Sequence, residues 1–379
     1  MERLYYLDYL RAFAMLVGIF VHVTTLGDFG VLEAVGTASH HFRMGTFFAV
    51  SGFFAGLLLT KRSLRAFFGS RLLALGLPLT FGLLVLNPLA LWAVHAWRIG
   101  PTGFDRLGGI VAQSFDPANG IGTNFVWHLH LWFLIALIAY TLAASLLWRL
   151  VGPAGAGPVI GKAAQRLPDA VLALCVALVV AAAVVALRGV YSLTGKALGA
   201  PWIVLATLAY APYYVLGLAL FGQPRLWERL HRIDLPLIAV AASLWLVVEL
   251  APALPGGLGS VAGIVKRELT VCAVFFALLA VTRRLFPGPN RAWGFVSEGI
   301  YTAYLLHYLV IYCLALLLRP WLPEGSAIQF WLIAVLTAAL TLGFHHLVVR
   351  RVPLLLLLLN ERPASKGAVP VPPLGGPVR

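Results

Sequence analysis

Apolar residues come in long blocks along this chain, separated by short stretches rich in glycine, proline, lysine and arginine. Ten blocks are long enough to cross about 30 Å of hydrocarbon as a helix. They run over 9–28, 42–60, 73–97, 125–148, 170–188, 201–222, 235–252, 268–286, 297–318 and 327–349. The third and seventh are interrupted by proline or polar residues. The pattern predicts an all-α polytopic membrane protein of about ten transmembrane helices, with residues 1–360 forming a single domain. The stretch 361–379 is rich in proline and glycine (Pro370, Pro372, Pro373, Gly375, Gly376, Pro377) and is expected to be a disordered tail. No soluble domain and no internal repeat stands out.

The first block departs from the pattern. Asp8, Arg11 and His22 place an acid, a guanidinium and an imidazole in an otherwise apolar run. At about 100° per residue, the eleven positions from Arg11 to His22 make three turns plus a small remainder, so both lie on one face, about 16 Å apart along the axis. Asp8 sits one turn before Arg11 on nearly the same stripe. Ionisable groups at membrane depth are costly and face a bundle interior or a wet cavity. An interfacial pair at i, i+3 would account for Asp8 and Arg11 alone. His22 is harder to dismiss, because a neutral imidazole deep in an apolar helix needs buried partners.

Composition agrees with the class: 61% of the 379 residues are hydrophobic and 11% charged. The net charge of +14 would suggest nucleic acid in a soluble protein. Here it follows from lysine and arginine retained in cytoplasmic loops. With the N-terminus inside, twenty of the 28 Lys and Arg residues fall on the cytoplasmic side, so both termini are expected in the cytoplasm. Nucleic acid is therefore not an expected partner. Cys175, Cys272 and Cys313 lie far apart in apolar runs and offer neither a disulfide framework nor metal-ligand spacing, so no metal is expected. The first block carries charges and no convincing cleavage site, which reads as a retained helix.

Four further constellations carry chemistry. His40-His41-Phe42-Arg43-Met44 stands at the outer mouth of the second block, where the charge rule disfavours arginine. Arg43, with His40 beside it, is therefore a candidate for holding a carboxylate or a substrate hydroxyl network. Ser51-Gly52, further along that block, suits close helix packing. The connection Lys61-Arg62-Ser63-Leu64-Arg65, continuing to Arg71, is either a topology signal or an anion site able to hold phosphates. Trp127-His128-Leu129-His130-Leu131-Trp132 opens the fourth block. Two histidines at i, i+2 diverge on a helix, which argues against a shared metal and leaves His130 and Trp132 as cavity lining. In the ninth block Tyr301, Tyr304 and His307 recur every third position on a drifting common face. Neither a phosphate-binding glycine loop nor a G-x-S-x-G elbow is present.

Taken in order, these segments resemble the membrane acyltransferase-3 family. The matching pieces are Leu7-Asp8-x-x-Arg11 leading to Gly18-Ile19 and His22, and His40-x-Phe42-Arg43-Met44 with Ser51-Gly52-Phe53-Phe54. They continue with Arg71 through Gly76-x-Pro78, His130-Leu131-Trp132-Phe133-Leu134, Tyr304-Leu305-x-His307 and Val352-Pro353-Leu354-Leu355. Within the family the likeness is to members that succinylate osmoregulated periplasmic glucans. The resemblance implies a bacterial inner-membrane, multi-pass O-acyltransferase. It would take a succinyl or acetyl group from cytoplasmic acyl-CoA, a co-substrate rather than a bound cofactor, and place it on a periplasmic glucan.

By that resemblance His22 is the essential base and Arg11 its partner, with Asp8 beside it. Arg62, Arg65, Arg71 and Ser51 are then the donor side. His40, Arg43, His130, Trp132, Tyr301, Tyr304 and His307 line the acceptor cavity. Relatives tend to carry more arginine between Arg65 and Pro78, where this chain has Ala66, Gly69, Ser70 and Ala74. Direct transfer and a transient acyl-histidine are both open. So are another glycan or lipid acceptor, an oligomer with membrane lipid around it, a transporter using the same stripe, and a non-catalytic partner of a glycan synthase.

Overall fold

The computed structural model describes the backbone of residues 4–116, 126–151, 167–230 and 256–360. Among these residues the structure is helical, with no strand. The helices are α1 (Tyr5–Val23), α2 (Glu33–His40), α3 (Arg43–Lys61), α4 (Leu64–Phe81), α5 (Asn87–Arg98), α6 (Leu107–Gln113) and α7 (Trp132–Val151). They continue with α8 (Asp169–Val190), α9 (Trp202–Phe221), α10 (Pro224–Leu230), α11 (Gly256–Leu285), α12 (Arg291–Leu318), α13 (Ala327–Leu347) and α14 (Pro353–Leu359).

Eight helical segments among the described residues are long and apolar enough to cross a membrane. They correspond to eight of the ten expected blocks. The expected block 268–286 coincides with the later part of α11, which ends at Leu285 and whose earlier half carries Lys266, Arg267 and Glu268. The expected block 235–252 and the expected tail 361–379 lie outside the described residues. On α13 the apolar residues Ile328, Trp331, Val335 and Leu347 are exposed. The first three, spaced three and four residues apart, make a stripe of the kind a helix turns toward lipid.

The chain divides into two compact units. The first takes Met1–Gly36, Leu72–Leu131 and Arg284–Arg379. In it α1 packs against α12 and α13, and α12 also packs against α5. Ile19, Val23, Leu91, Val94, Tyr312, Phe330 and Ile333 form the core. Two helices start on side-chain caps, with Asn290 accepting from Trp293 N and Ser326 from Gln329 N. Pro78 inside α4 lacks an amide proton. Just beyond α4 the chain widens into a π turn at Gly82–Leu86, where a Cβ on Gly82 would press on Leu131 at 2.6 Å.

The second unit takes Thr37–Arg71 and Trp132–Arg283. Its centre is the crossing of α3 and α9. A Cβ on Gly52 would stand 2.9 Å from the Tyr214 carbonyl carbon, and one on Gly217 would stand 2.7 Å from that of Ala49. Only glycine lets the two backbones approach this closely, so Ser51-Gly52 does serve close packing. Aromatic rings fill the flanks of the crossing. Phe48 lies 5.1 Å from Tyr140 and 5.5 Å from Tyr210, and Phe53 stacks on Trp227 at 4.5 Å.

Candidate functional site

The first unit gathers three histidines from three segments. His22, near the end of α1, lies with its ring centroid 5.0 Å from His307 on α12 and 6.1 Å from His130. His130 and His307 are 4.7 Å apart. Tyr308 closes the group, 5.1 Å from His22 and stacked on His130 at 5.3 Å. His130 and His307 are buried, while His22 is partly exposed. The partly exposed member is thus the one that the first-helix stripe singles out.

Hydrogen bonds settle part of the protonation. His307 Nδ1 lies 2.6 Å from the carbonyl oxygen of Tyr304 and 3.2 Å from that of Ala303. Carbonyls only accept, so Nδ1 carries the proton and, in the neutral ring, Nε2 keeps its lone pair. Tyr304 donates to the His130 carbonyl at 2.8 Å. Tyr301 is buried, 6.3 Å from the Tyr304 ring, which continues the face expected from the three-residue spacing.

The end of α1 is tied down from several sides. Thr25 donates to the His22 carbonyl at 2.6 Å and shares a 3.0 Å contact with the Tyr312 hydroxyl. Arg98 donates to the Thr25 carbonyl and Trp97 to that of Leu26. At the other end, Tyr9 accepts from the Asn290 amide at 2.8 Å. These contacts leave the His22 imidazole little freedom of position. Asp8 is buried and Arg11 partly so. Both lie on the same unbroken helix as His22, so the separation of about 16 Å between Arg11 and His22 stands.

The sequence expectation fails locally at 125–131. A helix was expected to run through both His128 and His130, but α7 begins only at Trp132, after a turn and a short 3₁₀ segment at Leu129–Leu131. Leu129 adopts φ +43°, a left-handed conformation that costs a residue with a Cβ about 1–3 kcal/mol. Neighbouring bonds hold the turn: Asn87 donates to the Trp127 carbonyl, and His128 Nδ1 to that of Leu129. The kink carries His130 into the histidine group, whereas the i, i+2 argument assumed a helix. Burial holds the His128 imidazole below its usual range, partly offset by the bond to Leu129.

The remaining expected residues fall in the second unit. Ser51 is buried at the α3–α9 crossing. Arg62 and Arg65 are exposed, and Arg62 donates to Ser70 at 2.9 Å. Arg65 and Arg71, six residues apart on α4, point about 120° from each other. Arg65 and Arg71 therefore do not share one face. Trp132 lies 5.9 Å from Tyr210 and 5.5 Å from Trp202. His40 ends α2.

Tyr308 was missed in the sequence because an aromatic beside His307 reads as ordinary core. Glu268, at 1% exposure, was missed because it follows two cations that read as a topology signal. Among the described residues no group of His, Cys, Asp and Glu is arranged to hold a metal.

Comparison with known proteins gives one family. The model of the acyltransferase domain matches residues 4–346. Glucans biosynthesis protein C of Escherichia coli O6:K15:H31 is 25% identical over 242 residues, 59% of this chain and 60% of that protein. The proteins of the same name from Shigella dysenteriae serotype 1 and Escherichia coli K12 are each 26% identical over the same spans. The matched region thus covers three-fifths of the length of these relatives. No solved structure matches. With the domain match running over nearly its full length, the chain belongs to the acyltransferase-3 family of membrane proteins.

Proposed function

We propose that this protein is an integral-membrane O-acyltransferase that moves an acyl group, succinyl first, from cytoplasmic acyl-CoA to a hydroxyl of a periplasmic glucan. His22 is the general base. One observation carries the reading: His22 is the partly exposed member of an otherwise buried three-histidine group on a helix end held by cross-links. His307 Nε2 can accept a hydrogen bond from one N–H of His22, which leaves the lone pair on the other nitrogen as the base. That nitrogen takes the acceptor hydroxyl proton as the oxygen attacks the thioester carbonyl. The carbon–sulfur bond then breaks, and the imidazolium returns the proton to the departing thiolate. Arg11 and Asp8 orient the donor. The chain sits in the inner membrane with both termini in the cytoplasm.

The test uses purified full-length protein, succinyl-CoA or acetyl-CoA, and a glucan, following free thiol and ester together. Wild type should release thiol and form ester in equal amounts. His22→Ala should lose at least about 100-fold in rate while keeping its thermal midpoint. Full transfer by the alanine variant would remove His22 as the base. No transfer by wild type with either donor would overturn the enzyme reading.

A further inference from the structure

In the first unit the ends of α5 and α12 enclose a cavity of about 480 Å³ that the acyl-transfer reading leaves unused. Its walls are apolar: Trp92 and Ala96 on α5, Leu316 on α12, and Pro101 and Pro320 in the connections that follow. The size falls within the about 300–1,000 Å³ of small-ligand sites, which combine such walls with a few placed polar groups. The chain fixes these walls in advance. Gly100, at φ +135°, lets the connection after α5 turn back along the helix. Trp92 donates from Nε1 to the Thr102 carbonyl at 2.9 Å, and Phe104 stacks on the Trp92 ring at 4.5 Å. The Thr102 hydroxyl donates to the Gly100 carbonyl, so it accepts from His95 Nδ1 at 3.0 Å.

The charged member of the lining is Arg319, which follows α12 directly. Its guanidinium lies over the Trp97 ring at 4.9 Å, and its Nε donates to Glu324 Oε1 at 2.9 Å. That bond engages one nitrogen and leaves Nη1 and Nη2 to a ligand. Glu324 likewise keeps Oε2 as an acceptor. The pair is neutral as a unit and sets donors and an acceptor side by side at an apolar cavity. A sugar ring has the matching chemistry: its C–H faces are apolar, and each of its hydroxyls both donates and accepts. An anion fits less well, because the Glu324 carboxylate beside the guanidinium repels it.

We propose that this cavity is a saccharide-binding site, in which Arg319 and Glu324 hold ring hydroxyls while Trp92, Leu316 and Pro320 pack against a ring face. Its place in the unit suits an acceptor. Trp97, under the Arg319 guanidinium, donates to the Leu26 carbonyl, and Arg98 donates to that of Thr25, just past His22. One indole therefore joins the cavity to the held end of α1. With both termini in the cytoplasm, the ends of α5 and α12 face the periplasm, the side from which a glucan arrives. The cavity is then a subsite for a sugar of the acceptor other than the one acylated. That role rests on the acyl-transfer reading, whereas saccharide binding itself does not.

Binding is measured on the full-length protein in a detergent without a sugar headgroup. The probes are the glucose disaccharides sophorose, gentiobiose and maltose, with inorganic phosphate as the anion. The readouts are titration calorimetry and the thermal midpoint. Wild type should respond saturably to at least one disaccharide and not to phosphate. Arg319→Ala, at an exposed position, should weaken the sugar response about tenfold, the loss of a charge-assisted bond. Trp92→Leu, on another wall, repeats the test should Arg319→Ala fail to fold. Arg351→Ala, an exposed cation of the same unit, should match wild type. In the acyl-transfer assay Arg319→Ala should raise the KM for glucan and leave kcat unchanged, and an unchanged KM would overturn the acceptor role. No saturable sugar response in wild type, wild-type affinity in both cavity variants, or a phosphate response that Arg319→Ala removes would overturn the site. Sugar binding by a wild type that transfers no acyl group would overturn the acyl-transfer reading and support the site.

Discussion

Gly217→Ala adds one carbon at the α3–α9 crossing, and the structure gives the size of the disturbance. The new Cβ would collide with the Ala49 carbonyl oxygen and stand 2.7 Å from its carbon and 2.8 Å from the Phe53 amide nitrogen. Carbon atoms rest at about 3.5–4.0 Å, so the helices must part by about 1 Å. Both obstacles are backbone, and neither can rotate away. A gap of about 1 Å forfeits up to half of each dispersion contact across the seam, and overpacking of this kind costs about 1–3 kcal/mol. Alanine returns about 1 kcal/mol of helix propensity. The expected net loss is about 2 kcal/mol at the upper end of that range. Gly263→Ala, in α11 with no neighbour within 4 Å, is the control and should be neutral or slightly stabilising. Thermal unfolding of the purified variants in one detergent measures both. Equal midpoints for Gly217→Ala and Gly263→Ala would refute the close approach of α3 and α9.

Two further outcomes follow from the histidines. His307→Phe removes the acceptor nitrogen facing His22, so kcat in the acyl-transfer assay should fall about 100-fold with KM nearly unchanged. His307→Asn, whose amide can still accept, should recover part of the loss; a change in KM alone would reduce His307 to packing. For His128 the folded value lies below the usual 6.5, so the unfolded chain binds the extra proton first as pH falls. Stability from this group is therefore complete above 6.5 and declines as pH falls through 6.5 toward the folded value. His128→Phe should flatten the acid limb of the midpoint-versus-pH curve, and parallel curves for variant and wild type would exclude the assignment.

Most of the fold was legible because a membrane helix announces itself by length and apolarity. Eight of the expected blocks are helices of spanning length, and the Arg11–His22 stripe lies on one unbroken helix. The failures are local and have physical causes. The 125–131 stretch was read as helix from its apolar and aromatic content. The chain there instead takes a left-handed turn at Leu129, held by bonds from Asn87, forty residues away, and His128. A window of local sequence cannot show a conformation that distant partners impose. Arg65 and Arg71 were grouped by charge alone, but helical geometry turns them apart. The meeting of His22, His130 and His307 depends on tertiary packing, which no single block contains.

The basic residues show how far charge counting reaches. Lysine and arginine on the cytoplasmic side have a sufficient cause in membrane insertion, so their presence there carries little functional information. Arginine on the other side has no such excuse and must be retained for another reason. Arg43, Arg188 and Arg267 are three of the eight basic residues that the count leaves outside, and they lie on three separate helices. In sequence they look like scattered exceptions, and Glu268 looks like part of an ordinary charged run. In the fold Arg267 donates to one oxygen of Glu268, and Tyr213 donates to the other. An exception to an insertion rule thus points to chemistry more sharply than a basic loop that obeys it.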